Sequence, residues 1–219
     1  MFAKADTPAR LAALLLFALA GLQASAQGSL KAFSARLSES RVSFSYSYSL
    51  KGGRLPLSGS GSVLAQDACF ALEGDGLKTV SDGKSVWSLD EQAKELVIES
   101  LGEGAFSASP ALILLNLERT FRQLSTRKSA FAAQSCEELV LRPSGEEPLT
   151  VAGAAVRSLR LYLTAGGGKL LGARISLEDG SELTVNVKAM KFLPRGSDLS
   201  PFRLDASALG SAYVITDLR

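Results

Sequence analysis

The stretch from Leu77 to Ser100, LKTVSDGKSVWSLDEQAKELVIES, leaves a chain few options, because two turn signals separate three short arms that each carry apolar residues. Asp82-Gly83 marks the first turn, since glycine takes a left-handed backbone at no steric cost, and the polar run Asp90 to Ala93 marks the second. Three consecutive antiparallel strands follow. Loop length then decides the faces. A two-residue loop would set Lys78 opposite Trp87; a three-residue loop, Ser81-Asp82-Gly83, sets Leu77 opposite Trp87 and pairs apolar with apolar, so the second is expected. Trp87, Leu89, Leu96 and Ile98 then share one face, and Val86, Ser88, Glu95 and Glu99 the other.

The neighbouring segments extend the sheet. Arg41 to Leu50 alternates without a fault, with Val42, Phe44, Tyr46, Tyr48 and Leu50 against four serines. Leu57 to Gln66 returns with Gly59 and Gly61 inside it, where missing side chains allow bulging and curvature, and Asp67 to Glu73 adds a strand with Phe70 and Leu72. Ser29 to Ser40 places Leu30, Phe33 and Leu37 at helical spacing behind a possible Ser29 cap. Ser109-Pro110 opens a second helix holding Leu112, Ile113, Leu114, Leu115 and Leu117, apolar around nearly its whole circumference and therefore in need of cover on both sides. Arg119 to Gln134 is mixed in charge and period and reads only as strand and loop. Glu137 to Arg142 and Val156 to Thr164 are strands, and a three-residue loop at Glu178-Asp179-Gly180 sets Ile175 opposite Leu183 and Ala173 opposite Val185. The tail has room for one or two more strands, at Pro201 to Leu204 and Ala212 to Ile215. Roughly ten antiparallel strands are more than a flat layer holds without curling.

The string Val80-Ser81-Asp82-Gly83-Lys84, with Trp87 close behind and Glu91-Gln92 in the next turn, resembles the LolA-like family of periplasmic outer-membrane lipoprotein carriers. The order of elements from Leu30 onward is similar to that family's too. The resemblance implies a mainly β fold with a few helices: a curled antiparallel sheet forming an incomplete β-barrel, closed by lid helices over a cavity for acyl chains. The candidate lining is Phe44, Tyr46, Tyr48, Phe70, Leu72, Trp87, Leu89, Leu96 and Ile98, with Leu112, Leu115 and Leu117 on the lid. It also implies acylated lipoproteins or a lipid-like ligand as cargo, an inner-membrane donor transporter and an outer-membrane acceptor. Many family members carry an Arg-Pro pair after the second strand, its arginine implied to work the lid; here that place reads Gln66-Asp67-Ala68, and no such role carries over.

Residues 1–26 read as a cleavable export signal: Lys4 and Arg10, an apolar run from Leu11 to Leu22, and Ala24-Ser25-Ala26 before Gln27, with no cysteine there for lipid attachment. The run is shorter than the roughly 20 residues of a membrane span. Residues 27–219 then form a single domain, soluble and periplasmic. A net charge of +2 gives no basic surplus of the kind nucleic acid requires. With no histidine the usual general base and commonest metal ligand are missing, so no catalytic residue, metal or cofactor is expected. Ser125-Thr126-Arg127-Lys128 matches S-x-x-K but lacks its companion K-T-G and reads as a surface loop. Cys69 and Cys136 are compatible with a disulfide or with two buried thiols. The chain reads as a periplasmic carrier of lipoprotein acyl chains rather than an enzyme; a lipid-sensing module on the same scaffold is the alternative, and a lipid-ester hydrolase a more distant one.

Overall fold

A computed structural model describes residues 28–52, 57–101, 117–145, 148–151 and 153–219. A helix, α1 (28–39), leads into β1 (Arg41–Lys51), β2 (Leu57–Gln66), β3 (Cys69–Gly74), β4 (Leu77–Asp82), β5 (Ser85–Asp90) and β6 (Glu95–Ser100). After a short helical turn, α2 (Leu117–Thr120), come β7 (Phe121–Phe131), β8 (Gln134–Pro143), β9 (Thr150–Val151), β10 (Ala154–Leu163), β11 (Leu170–Leu177), β12 (Glu182–Leu193) and β13 (Val214–Asp217).

Thirteen described strands form one sheet in the order β13-β6-β5-β4-β3-β2-β1-β12-β11-β10-β8-β7, with β9 paired to β10. The central pair, β1 with β12, joins an early meander to a late one, and the sheet curls around an apolar interior without closing. The expectation of about ten strands falls short at three places. Arg119 to Gln134 contains a long hairpin arm, β9 is a two-residue strand, and β13 pairs with β6 in parallel and not as an antiparallel tail. Pro201-Phe202 lies in a 3₁₀ turn and not in a strand.

The inner face follows from register. Val42, Phe44, Tyr46 and Tyr48 lie opposite Ala65, Val63, Gly61 and Gly59 of β2, and Val63 and Ala65 lie opposite Leu72 and Phe70 of β3. On the other side Tyr46, Tyr48 and Leu50 face Val187, Val185 and Leu183. The β1/β12 register slips between Ser43 and Ser45, where Ala189 of β12 has φ +53°. This bulge changes the phase of β12, so that Phe192 and Val187 share a face despite an odd spacing. The hairpin expected at Glu178-Asp179-Gly180 is present, with Ile175 opposite Leu183 and Ala173 opposite Val185.

The first hairpin differs from expectation. Trp87 stands opposite Val80, and Leu77 opposite Asp90, because the loop is Gly83-Lys84 and not Ser81-Asp82-Gly83. Gly83 takes φ +87°, and the Asp82 carboxylate accepts hydrogen bonds from the backbone N–H of Lys84 and Ser85, both at 3.0 Å. Asp82 therefore closes the turn from its flank, in the glycine-first arrangement that suits the twist of a two-residue hairpin.

Helix α1 fills one end of the curl. Leu30, Phe33 and Leu37 are buried, and Phe33 meets Phe192 edge-on at 6.4 Å between ring centroids. Ser29 lies inside the helix, and its hydroxyl donates to Glu137 at 2.5 Å. The helix expected from Ser109 lies outside the described residues, apart from the turn at α2. No helix among the described residues is long and apolar enough to cross a membrane.

Candidate functional site

The inner face encloses a cavity of about 340 Å³. Its walls are Phe44, Tyr46, Tyr48 and Leu50 of β1, Leu57 and Val63 of β2, Leu72 of β3, Leu183, Val185 and Val187 of β12, Leu170, Ala173 and Ile175 of β11, Val156, Leu159 and Leu161 of β10, Leu149 and Val151, Leu117 of α2 and Phe121 at the start of β7. Every one of these side chains is aliphatic or aromatic, and the only polar groups among them are two tyrosine hydroxyls. The volume lies within the roughly 300–1,000 Å³ of small-molecule sites. α1 plugs one end of the barrel, and the cavity extends toward the other, where Leu57 is 49% exposed.

The two tyrosines depend on the two glycines opposite them. A Cβ at Gly59 would meet the Asp75 carboxylate first and then the Tyr48 ring at 2.7 Å, and one at Gly61 would meet the Glu73 carbonyl of β3 first and then the Tyr46 hydroxyl at 2.8 Å. The β1/β2 register runs through these positions without a shift, so the glycines make space for the rings and do not bulge the strand. Tyr46 and Tyr48 stack with centroids 6.3 Å apart, and the Tyr48 hydroxyl donates to Asp75 at 3.1 Å. Burial, reinforced by the Asp75 carboxylate, pushes both phenols above their ordinary pKa, so they are neutral hydrogen-bonding groups near pH 7. Asp75 sits in the β3–β4 turn, where it and Gly76 both take positive φ.

The residues singled out in the sequence separate into groups. Phe44, Tyr46, Tyr48 and Leu72 line the cavity, and Leu117 does so from α2. Phe70 is fully buried in the same core without reaching the cavity. Trp87, Leu89, Leu96 and Ile98 do share a face, but Ala71 lies opposite Val80, and Val80 opposite Trp87, which places that face on the outside of the curl. There they form a second core with Leu204, Ala206, Leu209 and Tyr213 of the C-terminal segment. Leu112 and Leu115 lie outside the described residues. The half of the wall built by β10, β11 and β12 escapes the sequence-based choice, although its signal is present in the alternation of Leu159 with Leu161 and of Leu183, Val185 and Val187.

Where the family's Arg-Pro pair would stand, Gln66 is buried. Its amide accepts from Arg41 Nε at 3.1 Å and from Gly196 N at 3.0 Å, and donates to the Gly196 carbonyl at 3.1 Å, while Asp67 pairs with Arg195. These contacts tie the β2–β3 turn to the C-terminal segment. Ser125 and Lys128, expected in a loop, are on β7, and their odd spacing puts them on opposite faces of that strand, so they cannot act as nucleophile and base. Cys69 and Cys136 are both buried and free, and burial raises both thiols. No group of three or more metal-ligating side chains occurs among the described residues.

No family model matches the sequence, and no curated protein matches it. Solved structures do. An uncharacterized conserved protein from Thermus thermophilus superposes with a TM-score of 0.54 at 15% identity, covering 87% of this chain and 98% of that one. A LolA superfamily protein from Nitrosomonas europaea gives a TM-score of 0.43 at 12% identity over 81% and 96% of the two chains. The lipoprotein LppX of Mycobacterium tuberculosis gives 0.43 at 15% identity over 78% and 95%. At such identities the likeness concerns fold alone. The architecture is an incomplete, mainly antiparallel barrel. Its curl around an apolar cavity is the feature on which a functional reading can rest.

Proposed function

We propose that this protein is an extracytoplasmic carrier that shelters the acyl chains of lipoproteins, or of a similar lipid, in the cavity between β1, β10, β11 and β12. The observation that carries this reading is the cavity itself, a space of about 340 Å³ walled by apolar and tyrosine side chains. Removing acyl chain from water gains about 0.8 kcal/mol per CH₂, and such a wall offers that gain with only the two tyrosine hydroxyls to desolvate. Within the site, Phe44, Leu72, Leu161, Ile175 and Val185 would grip the chain, and the hydroxyls of Tyr46 and Tyr48 would meet its polar end. Residues 1–26 would direct export and leave residues 27–219 as one carrier domain in the periplasm. A donor transporter and an outer-membrane acceptor belong to this reading through the family resemblance.

Native mass spectrometry of the purified protein, followed by lipid extraction, tests it. Co-purified or added acylated ligand bound one to one is the expected result. A protein that stays empty in the presence of a lipopeptide overturns the carrier. Trp87 fluorescence is a poor reporter here, since the ring lies on the far side of the sheet; a fluorescent fatty acid is the suitable probe.

A further inference from the structure

We propose that the outer face of β7, β8, β10 and β11 is a docking surface for an anionic phospholipid bilayer. Register places five arginines there. Arg122 lies opposite Arg142, Arg160 opposite Arg174, and Arg127 opposite Glu138, while Val140 and Glu138 of β8 face Arg160 and Tyr162 of β10. The contacts agree: Arg127 reaches Glu138 at 3.0 Å, Arg160 reaches the same carboxylate at 3.9 Å, and the Arg174 guanidinium lies 5.9 Å from the centre of the Tyr162 ring. Glu138, 2% exposed, is the only acid on this face among the described residues of the four strands; Glu137 points inward and bonds Ser29. Two like-charged pairs directly across a sheet oppose pairing, and no carboxylate among the described residues of this face offsets Arg122, Arg142 or Arg174.

The chemistry of the face selects the partner. Arginine holds phosphate through a planar fork, and a pleated sheet offers its guanidinium groups in a broad plane without a pocket. A protein interface would need buried aromatic or aliphatic anchors, yet Tyr162 is already covered and the only large apolar side chain exposed on the described residues of these strands is Leu124, at the β7 bulge. A flat layer of phosphates needs no such anchor, and this surface is independent of the cavity on the other side of the sheet.

Co-flotation with vesicles tests the assignment. The purified protein is expected to float with phosphatidylcholine vesicles containing phosphatidylglycerol, to ignore pure phosphatidylcholine, and to be released by salt. Arg122→Gln with Arg142→Gln and Arg174→Gln should weaken that binding by about fivefold per arginine, about a hundredfold in all. Arg127 and Arg160 stay, since they hold Glu138, and the triple variant should melt no lower than the parent because it relieves repulsion. Ile175→Glu, in the cavity, should leave flotation unchanged, so loss of cargo binding and loss of docking are read separately. Absence of flotation by the parent, undiminished flotation by the folded triple variant, or binding to soluble polyglutamate with none to vesicles would each overturn the proposal.

Discussion

Two apolar faces of this sheet look alike in sequence and do opposite things. On β1, Phe44, Tyr46 and Tyr48 alternate with serine; on β5 and β6, Trp87, Leu89, Leu96 and Ile98 alternate with other residues. The first set lines an open cavity, and the second is a packed core closed by the C-terminal segment. That segment is pinned where it crosses. Arg203 Nε lies 3.4 Å from Asp82, Lys94 Nζ donates to the Tyr213 hydroxyl at 3.1 Å, and Val214 N–H donates to the Lys94 carbonyl at 2.9 Å. Burial works against the Asp82 carboxylate, but the N–H groups of Ser85 and Lys84, with Arg203, overcome it and hold the carboxyl below its ordinary pKa. Alternation says which residues share a face; whether that face becomes core or cavity depends on what covers it.

The sharpest way to break this comparison is Trp87→Ala. Loss of so large a buried ring should cost about 3–5 kcal/mol of stability, read by urea unfolding, while the affinity of the folded protein for a fluorescent fatty acid stays unchanged. Weakened binding at normal stability would mean the two faces have been exchanged. The reverse probe is Ile175→Glu. A carboxylate in the cavity would be stripped of water by an acyl chain, so fatty-acid affinity should fall by about 2–3 kcal/mol while melting shifts little, because the cavity is wide enough for water to hydrate the charge. Equal losses of binding and melting would make the cavity wall ordinary core.

Gly61→Ala gives a smaller effect. Its methyl meets the Glu73 carbonyl of β3 before the Tyr46 ring, so the β2–β3 pairing and the ring must both give, and stability should drop by about 1–3 kcal/mol with ligand affinity following, whereas alanine at Gly210, with open space around it, should change neither. The smallest effect is alkaline. Cys69, Cys136, Tyr46, Tyr48 and Tyr162 all have raised pKa values, burial first among the causes. In the folded state these groups keep protons that the unfolded chain gives up. Their contribution is therefore complete below the ordinary thiol pKa of about 8.5 and is lost as pH rises through the folded values. Melting temperature should decline above that point, and Cys69→Ala should flatten the first part of the decline; an unchanged profile would show that the thiol gains little from its site.

Why some elements are legible and others are not follows from turn chemistry. The Asp-Gly turns at Asp75, Asp82 and Asp179 announce themselves, because a side-chain carboxylate or a glycine supplies what the bend requires. The β7–β8 hairpin turns instead on Ala132-Ala133, both with positive φ, and alanine carries no turn signal, which leaves the arm before it unreadable. The register of the first hairpin misleads because apolar pairing of Leu77 with Trp87 outweighs, on paper, the reach of Asp82 to the two amides beyond its glycine. Phe44, Tyr46, Tyr48 and Leu72 face the cavity, whereas Trp87, Leu89, Leu96 and Ile98 obey the same alternation and lie beyond the sheet from it.

The sequence by itself determined most strands and turns, the partition of the regularly alternating strands into two faces and the amphipathic first helix, since these depend on periodicity and local backbone chemistry. Only the tertiary structure decided which face of β5 looks inward, because that is set by the pairing of β3 with β4, one strand after another across the curl. It also decided that β1 joins β12 across more than a hundred residues of chain, that an Ala189 bulge brings Phe192 into phase with Val187, and that the C-terminal segment turns an exposed apolar face into core. Side-chain period is a property of one strand. Cover, curvature and cavity are properties of strands that the chain brings together from far apart, and no local pattern encodes them.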